Sequence, residues 1–490
     1  MIEESKGYET ERRDWSFLPR NDRVYPLQKY LMKQKSKSVD LGTGSVVKLL
    51  FSLALPSIIA QVINVLYNVV DRMYIGHIAD HGALALTGVG VTMPVIMAIS
   101  AFSSLVCMGG APRAAIELGK NKKENAEHIM SNCFVLLIVF GVLLTILVEI
   151  FAVPMLNLFG ASPSTLPFAL DYLRIYALGT IFVQTALGMN AFINTQGYTT
   201  YGMTSVLIGA IANIVLDPIL IFGFHLGVKG AAIATITSQC LSAVFVLWFL
   251  RSNRSYLNIR KRFFKLSIAV IAPCLMLGLS PFVMQITESL LSVCFNSSLL
   301  KYGGDTAVGA MAILASVMQF SMLPLQGLTQ GSQPIISFNF GAGKYDRIKS
   351  TFRILLLVSL IYSTTVWAIS MFAPQVLAGL FTNDANLMNY TCWALRIYMA
   401  MSLIFGAQIA CQQTFIALGN AKTSLFLALL RKVFLLIPLI YLLPALLSDQ
   451  TFAVFLAEPV ADTLAVLTTC ILFARYYKKV LSSPKEENAR

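Results

Sequence analysis

Leu173-Arg174-Ile175-Tyr176 returns 222 residues later as Leu395-Arg396-Ile397-Tyr398. The same offset pairs Gly109 with Gly331, Pro112 with Pro334, Gly119 with Gly341, Lys122 with Lys344, Leu158-Phe159 with Leu380-Phe381, and Gly197 with Gly419. Pro56 and Pro281 join at an offset of 225, which asks only for a three-residue length change in a loop. One offset held over so much chain marks a duplication, and the fold question becomes what one half builds.

Each half is built from apolar segments. The chain has 490 residues, 56% of them apolar and 12% charged, with a mean hydropathy of +0.70. Soluble domains carry about 25% charged residues, so lipid is the solvent this composition fits, and disorder is excluded with solubility. A membrane helix needs about 20 apolar residues. The sequence places spans near 47–76, 84–108, 127–151, 168–190, 201–224, 228–250, 266–292, 306–328, 351–374, 394–418, 423–447 and 451–476. The expected organisation is a polar cytoplasmic tail (1–45), an N-lobe of six spans (46–252), a basic cytoplasmic linker (253–265), a C-lobe of six spans (266–476) and a cytoplasmic C-terminal tail (477–490).

Lys and Arg sort the loops. Arg113, Lys120, Lys122 and Lys123, the run from Arg251 to Lys265, Lys344, Arg347, Lys349, Arg353 and Lys422 fall on one side, while the other holds little beyond Lys229 and Lys301. The positive-inside rule then puts both termini in the cytoplasm, in agreement with an even span count. The net charge of +13 is thus topological, and no nucleic-acid partner is expected. Six spans per half is an even number, so the halves enter the membrane in the same direction. Parallel repeats facing each other form a central cleft, the arrangement of alternating-access transporters.

Polar groups at membrane depth point to where the chemistry lies. In the first span Ser57, Gln61, Asn64, Asn68 and Asp71 recur at steps of four and three along one face. Such a stripe serves helix-to-helix hydrogen bonds or lines a watery path, and a terminal carboxylate favours the path. In the fifth span Asn213 and Asp217 lie one turn apart, and Pro218 frees a carbonyl that a cation can use. Thr235 follows in the small-residue run Gly230-Ala231-Ala232-Ile233-Ala234-Thr235. At 1.5 Å per residue, Asp71 and Asp217 both reach roughly 25–33 Å above the cytoplasmic edge, so these groups can share one depth.

The second half offers Gln285 and Glu288 in the seventh span, Gln319, Gln326, Gln330 and Gln333 in the eighth, and Glu458 with Asp462 in the twelfth. The last two lie near a span end, where interfacial water is an alternative to function. The central spans read as acidic and neutral. The eight cysteines show no CxxC pair and read as small buried hydrophobes. Gly341-Ala342-Gly343-Lys344 is not a phosphate loop, since Phe338 and Tyr345 occupy the positions of the first Gly and the Ser/Thr, so no ATP is expected. His77, His81 and His225 have no second ligand at metal spacing.

Together these motifs resemble the multidrug and toxic compound extrusion (MATE) family, in its DinF/MepA-like branch. The resemblance covers about residues 46–476. It rests on Pro56 with Asn68 and Asp71, Asn213-Ile-Val-Leu-Asp217-Pro218, Gly230 to Thr235, Gln330-Gly331-Ser332-Gln333-Pro334 with Gly341-Ala342, and Glu458-Pro459 with Asp462. It implies an all-α membrane protein of twelve helices in two pseudo-symmetric six-helix lobes forming a V, and export driven by H+ or Na+. It implies further that Asp71, Asn213, Asp217 and Thr235 handle the coupling ion and that the first helix bends at Pro56. Glu288 matches a C-lobe carboxylate of some members, whereas the tenth span carries Gln408, Gln412 and Gln413 where sodium-coupled members place an aspartate.

The expectation is therefore an antiporter, not an enzyme, exporting amphipathic cationic drugs as a monomer in the bacterial inner membrane. Its ion site is Asp71, Asn213, Asp217 and Thr235, where Na+ could bind. Its cleft is Gln61, Asn64, Asn68, Gln285, Glu288, Gln319, Gln326 and Gln330, with Glu458 and Asp462 as further C-lobe acids. No cofactor and no resident metal are expected, and lipids are the other partner. The alternatives are a flippase of lipid-linked precursors, disfavoured by the lack of basic cleft residues, an intramembrane enzyme, for which no HExxH or GxSxG exists, and a channel.

Overall fold

The computed structural model describes residues 40–78 and 81–481. Its helices, in chain order, are α1 (Val46–Gly76), α2 (Gly82–Gly119), α3 (Lys123–Leu158), α4 (Leu166–Leu178), α5 (Thr180–Thr195), α6 (Thr199–Pro218) and α7 (Val228–Arg251). The second half has α8 (Ile268–Gly341), α9 (Tyr345–Phe372), α10 (Pro374–Ala378), α11 (Ala385–Tyr398), α12 (Phe405–Ala417), α13 (Ala421–Leu429), α14 (Ile437–Leu446) and α15 (Gln450–Tyr476). No strand occurs among the described residues. Backbone polar groups in lipid must be satisfied within the segment, and helices do this.

Among the described residues, nine continuous helical stretches are long and apolar enough to span a bilayer, and two bent pairs add two more spans: α4 with α5 (58°) and α11 with α12 (50°). A straight α8 of 74 residues would run about 110 Å, far beyond a hydrocarbon core of about 30 Å. It turns back at Gly304, whose φ of 64° and ψ of −163° only glycine adopts readily. Leu291, Phe295 and Leu299 before that turn share a core with Met311, Leu314 and Val317 after it. The total is twelve spans, six per half, and each half contains one broken span at the same place in its order.

Two spans run about three turns past the ends that hydropathy marks. α2 continues to Gly119 and the second leg of α8 to Gly341, because the polar ends of both helices pack on protein rather than ending at lipid. At this end, which carries most of the Lys and Arg, the halves close on each other. A Cβ on Gly278 would sit 1.8 Å from the Leu105 carbonyl oxygen, and one on Gly341 would sit 1.9 Å from that of Ile116, so these helices touch backbone to backbone. Ala54 and Ile58, which bracket Pro56 on α1, likewise press on Gly331 and Gly327.

Residues 40–45, which the sequence assigned to the tail, dock on the opposite half. Lys344 Nζ donates to the Gly42 carbonyl (2.7 Å), Arg347 to those of Gly44 (2.8 Å) and Thr43 (3.0 Å), and Asn339 Nδ2 to that of Leu41 (2.9 Å). The tail before residue 40 and the segment after 481 lie outside the described residues. The linker is strapped to α3: Asn132 bonds Phe263 and Ser267, and Arg260 and Arg262 pair with Glu127 (3.1 Å) and Glu124 (2.8 Å).

Candidate functional site

Each half holds one polar cluster inside its helix bundle. In the N-lobe, α1 brings Asp71, α6 brings Asn213 and Asp217, and α7 brings Thr235. Asp71 is 6% exposed, Asn213 1% and Asp217 0%. Asn213 Nδ2 donates to Asp217 Oδ1 at 3.1 Å, and the two carboxyls lie within hydrogen-bond reach of each other. Asp71 Oδ1, Asp217 Oδ2 and Asn213 Oδ1 are buried with no hydrogen-bond partner. Oxygens in that state are costly unless a proton or cation joins them. Of the four residues that the sequence grouped by depth, Asp71, Asn213 and Asp217 lie together, while Thr235 donates to the Ala231 carbonyl (3.0 Å) and lines the pocket beside Asn213.

α6 changes pitch at this site, winding as a π-helix over Ile219–Gly223 directly after Pro218. Single π-turns recur at functional sites because they rotate side chains out of α register. Sequence reading did not find three further neighbours: Tyr67, in reach of Asn68 and Gln239; Tyr172, in reach of Thr235; and Tyr176, stacked on Tyr172 at 6.2 Å. Aromatic residues are so common in this chain that their spacing carries no signal. Below the carboxylates a small, half-open pocket continues between α1, α5, α6 and α7, lined by polar groups such as Asn64, Asn190, Ser205, Ser238 and Gln239. Asn64, assigned to the cleft from sequence, therefore opens into this lobe cavity.

The other stripe members separate by face. Ser57 is buried and donates to the Leu53 carbonyl (3.0 Å), while Asn68 is exposed and donates to that of Asn64 (2.6 Å). Gln61 and Gln330 are half-buried, and Gln319 and Gln326 are exposed. Gln285 bridges the halves, its Nε2 donating to Ser104 Oγ on α2 (3.1 Å), one turn beyond the Phe102–Phe282 ring contact. The next residue of that face is Glu288, with 62% of its side chain exposed, so here the halves have parted.

The C-lobe cluster corrects the sequence reading. The central spans are not merely acidic and neutral, since Arg431 and Lys432 are buried in a π-helical stretch (Leu430–Leu436) of the eleventh span. Arg431 pairs with Asp462 (2.6 Å) and Glu458 (3.0 Å) and lies over the Phe405 ring (4.5 Å), and Lys432 pairs with Glu288. Glu458 and Asp462 are each 5% exposed, so interfacial water does not reach them. Gln408 donates to Gln412 Oε1 (3.3 Å), and Gln412 in turn to Met284 Sδ. Among the described residues no group of three or more His, Cys, Asp or Glu could hold a metal ion, and all eight cysteines are free.

The MatE family profile matches this chain twice, over residues 56–219 and 281–442, once in each half and starting at the paired prolines. The chain belongs to the MATE family. It is thus a membrane multidrug efflux transporter and not an enzyme. The multidrug export protein MepA of Staphylococcus haemolyticus is 25% identical over 426 residues, 86% of this chain and 93% of that protein. MepA of Staphylococcus aureus (strain NCTC 8325 / PS 47) is 25% identical over 430 residues, 87% and 94%. Among solved structures, the MATE multidrug transporter DinF-BH is 33% identical. It superposes with a TM-score of 0.83 over 91% of this chain and 99% of that one. A MATE structure in the bent conformation, 22% identical, has a TM-score of 0.85 over 92% of this chain and all of that chain, and shares the two-lobe fold.

Proposed function

We propose that the protein exports amphipathic organic cations across the bacterial plasma membrane in exchange for H+ or Na+, by alternating access, with both termini cytoplasmic. The observation that carries this reading is the N-lobe pair: two buried carboxyls side by side, with one oxygen of each and that of Asn213 left without a partner. Two carboxylates this close repel unless a cation sits between them or a proton neutralises one. Asp71, Asn213, Asp217 and Thr235 are the groups that load the coupling ion. Loading removes negative charge from the lobe and releases a cationic substrate from the cleft.

A ligand moves a two-state protein only through its different affinity for the two states. The halves are closed at the basic end, with Pro56 between their two contact points on α1, and Glu288 is open to the other side. In that state coupling ions enter and drugs leave. Straightening or bending α1 at Pro56 shifts Ala54 and Ile58 off Gly331 and Gly327 and opens the basic end. Gln61, Asn68, Gln319, Gln326 and Gln330 supply hydrogen bonds to the substrate and Glu288 its counter-charge. The basic pair of the C-lobe does not revive a pyrophosphate flippase, because both cations already face carboxylates. Efflux of ethidium from proteoliposomes under a pH or a sodium gradient tests the proposal: one gradient drives it in the wild type and neither does in Asp71→Asn. Efflux that survives Asp71→Asn rejects the coupling assignment.

A further inference from the structure

The segment before α1 leads by sequence into the N-lobe, yet the C-lobe holds it. Four successive carbonyls, Leu41 to Gly44, accept hydrogen bonds from one short stretch of the opposite half: from Asn339 (2.9 Å), Lys344 (2.7 Å) and Arg347 (3.0 and 2.8 Å). Asp40 sets the shape that aims them, its carboxylate accepting from the Gly42 amide (2.9 Å) and the Thr43 hydroxyl (2.5 Å). Gly44 turns the chain at a φ of 73°, where glycine is at ease. Leu41 is 5% exposed and shares a core with Ile335, Ile336 and Ile348 of α8 and α9. A Cβ on Gly42 would stand 3.0 Å from Lys344 Nζ and 3.1 Å from the Phe338 ring. The Phe338 carbonyl in turn would lie 2.0 Å from a Cβ on Gly119, so the segment is seated directly behind a contact that closes the halves.

We propose that residues 40–45 are a latch on the basic end: docked on Asn339, Lys344 and Arg347 they hold that end closed, and each opening releases them. This rests on the alternating access argued above and names a device that governs it. The coupling is one of chain length. Ser45 alone separates Gly44 from the first turn of α1, so α1 cannot lift Ala54 and Ile58 off Gly331 and Gly327 while four carbonyls stay on the C-lobe. The docked contacts therefore exist in one state of the cycle only, and contacts of that kind bias a two-state equilibrium. Their chemistry suits repeated release. Every acceptor that the C-lobe side chains meet is a neutral carbonyl, and Lys344 is exposed and Arg347 half-buried, so water replaces the lost partners and each bond contributes modestly.

Cys274 reports the opening. It is 1% exposed, and its carbonyl would lie 2.0 Å from a Cβ on Gly109 of the other half, so parting of the basic end uncovers it. Cys294, 6% exposed in the C-lobe core, is the control. Modification of both thiols by N-ethylmaleimide is followed in the purified full-length protein by peptide mass spectrometry. Lys344→Met combined with Arg347→Met is expected to speed Cys274 modification roughly fivefold and to leave Cys294 unchanged. Inserting Gly-Ser-Gly-Ser between Gly44 and Ser45 keeps every docking contact, adds about 13 Å of slack, and is expected to speed Cys274 equally. A Cys274 rate unchanged in either variant, or a rise shared by Cys294, overturns the latch. Should the double substitution fail to fold, the insertion decides alone. Ethidium efflux by the wild type separates the two readings. With efflux intact those results strike the latch alone, whereas no efflux under either gradient removes the alternating-access reading and the latch with it.

Discussion

Each lobe buries one charged cluster among its helices, and the two clusters have opposite chemistry. α6 and the eleventh span both pass through a π-helical turn beside their charged groups. Yet the N-lobe joins two carboxyls to neutral hydroxyls and amides and leaves three oxygens without partners, whereas the C-lobe joins three carboxyls to two fixed cations. Since the duplication one copy has left buried oxygens without partners and the other has acquired fixed counter-charges. A mobile ion can report a gradient. A fixed one answers to no gradient, and on the proposed cycle the C-lobe does not load the coupling ion.

This contrast can be broken most directly by neutralising each lobe in turn. Asp217→Asn, in the lobe proposed to load the coupling ion, is expected to abolish gradient-driven efflux in proteoliposomes, a loss of more than tenfold, with the folded protein unharmed. Unharmed efflux would make the two clusters alike. The converse change, Arg431→Met, leaves Glu458 and Asp462 buried and unpaired, which costs about 3–5 kcal/mol. A fall of the melting temperature in detergent that is larger than that of Asp217→Asn checks it. Equal melting temperatures would show that the C-lobe pairs are not structural.

A third change sharpens where the lobes meet. Gly341→Ala puts a Cβ against the Ile116 carbonyl, forces the basic end apart, and is expected to raise cysteine-reagent labelling of residues lining that end several-fold relative to wild type. No change in labelling would mean the contact yields without opening. The smallest effect belongs to the docked segment before α1. Arg347→Ala removes exposed hydrogen bonds worth under about 1 kcal/mol, so the melting temperature moves by a degree or two at most. The Asp40 carboxyl in that segment is held below its usual range, chiefly by the Thr43 hydroxyl, with Lys344 and Arg347 adding attraction. A depressed carboxylate contributes stability above its unfolded value of about 3.9 and loses it only as pH falls through the folded value. The Arg347→Ala difference is therefore flat from pH 8 to pH 5, and a slope in that window would point to another titrating group.

The span order, the duplication and the N-lobe cluster were legible because each is written in short-range spacing. Apolar windows of span length, one repeat offset, and Asn213 to Asp217 at one helical turn need no knowledge of partners. Helix ends were less legible: hydropathy stops α2 and α8 near the bilayer edge, while packing against the other half carries them on to Gly119 and Gly341. The cleft stripe was half legible. Its period identified a polar face, but α1 divides that face between the lobe cavity at Asn64 and the exposed side at Asn68.

By itself the sequence determined twelve spans, two parallel halves, which loops bear positive charge, and the acidic heart of the N-lobe. Tertiary structure alone decided the C-lobe. Arg431 and Lys432 lie in a segment, Ala421–Leu446, that is apolar enough to span the membrane despite their two charges. Their partners are 31 and 27 residues away for Arg431 and 144 residues away for Lys432. Period and composition describe one helix at a time. Which charge meets which in lipid is settled only when helices pack, because there a buried ion must find its counter-ion across an interface and not along its own chain.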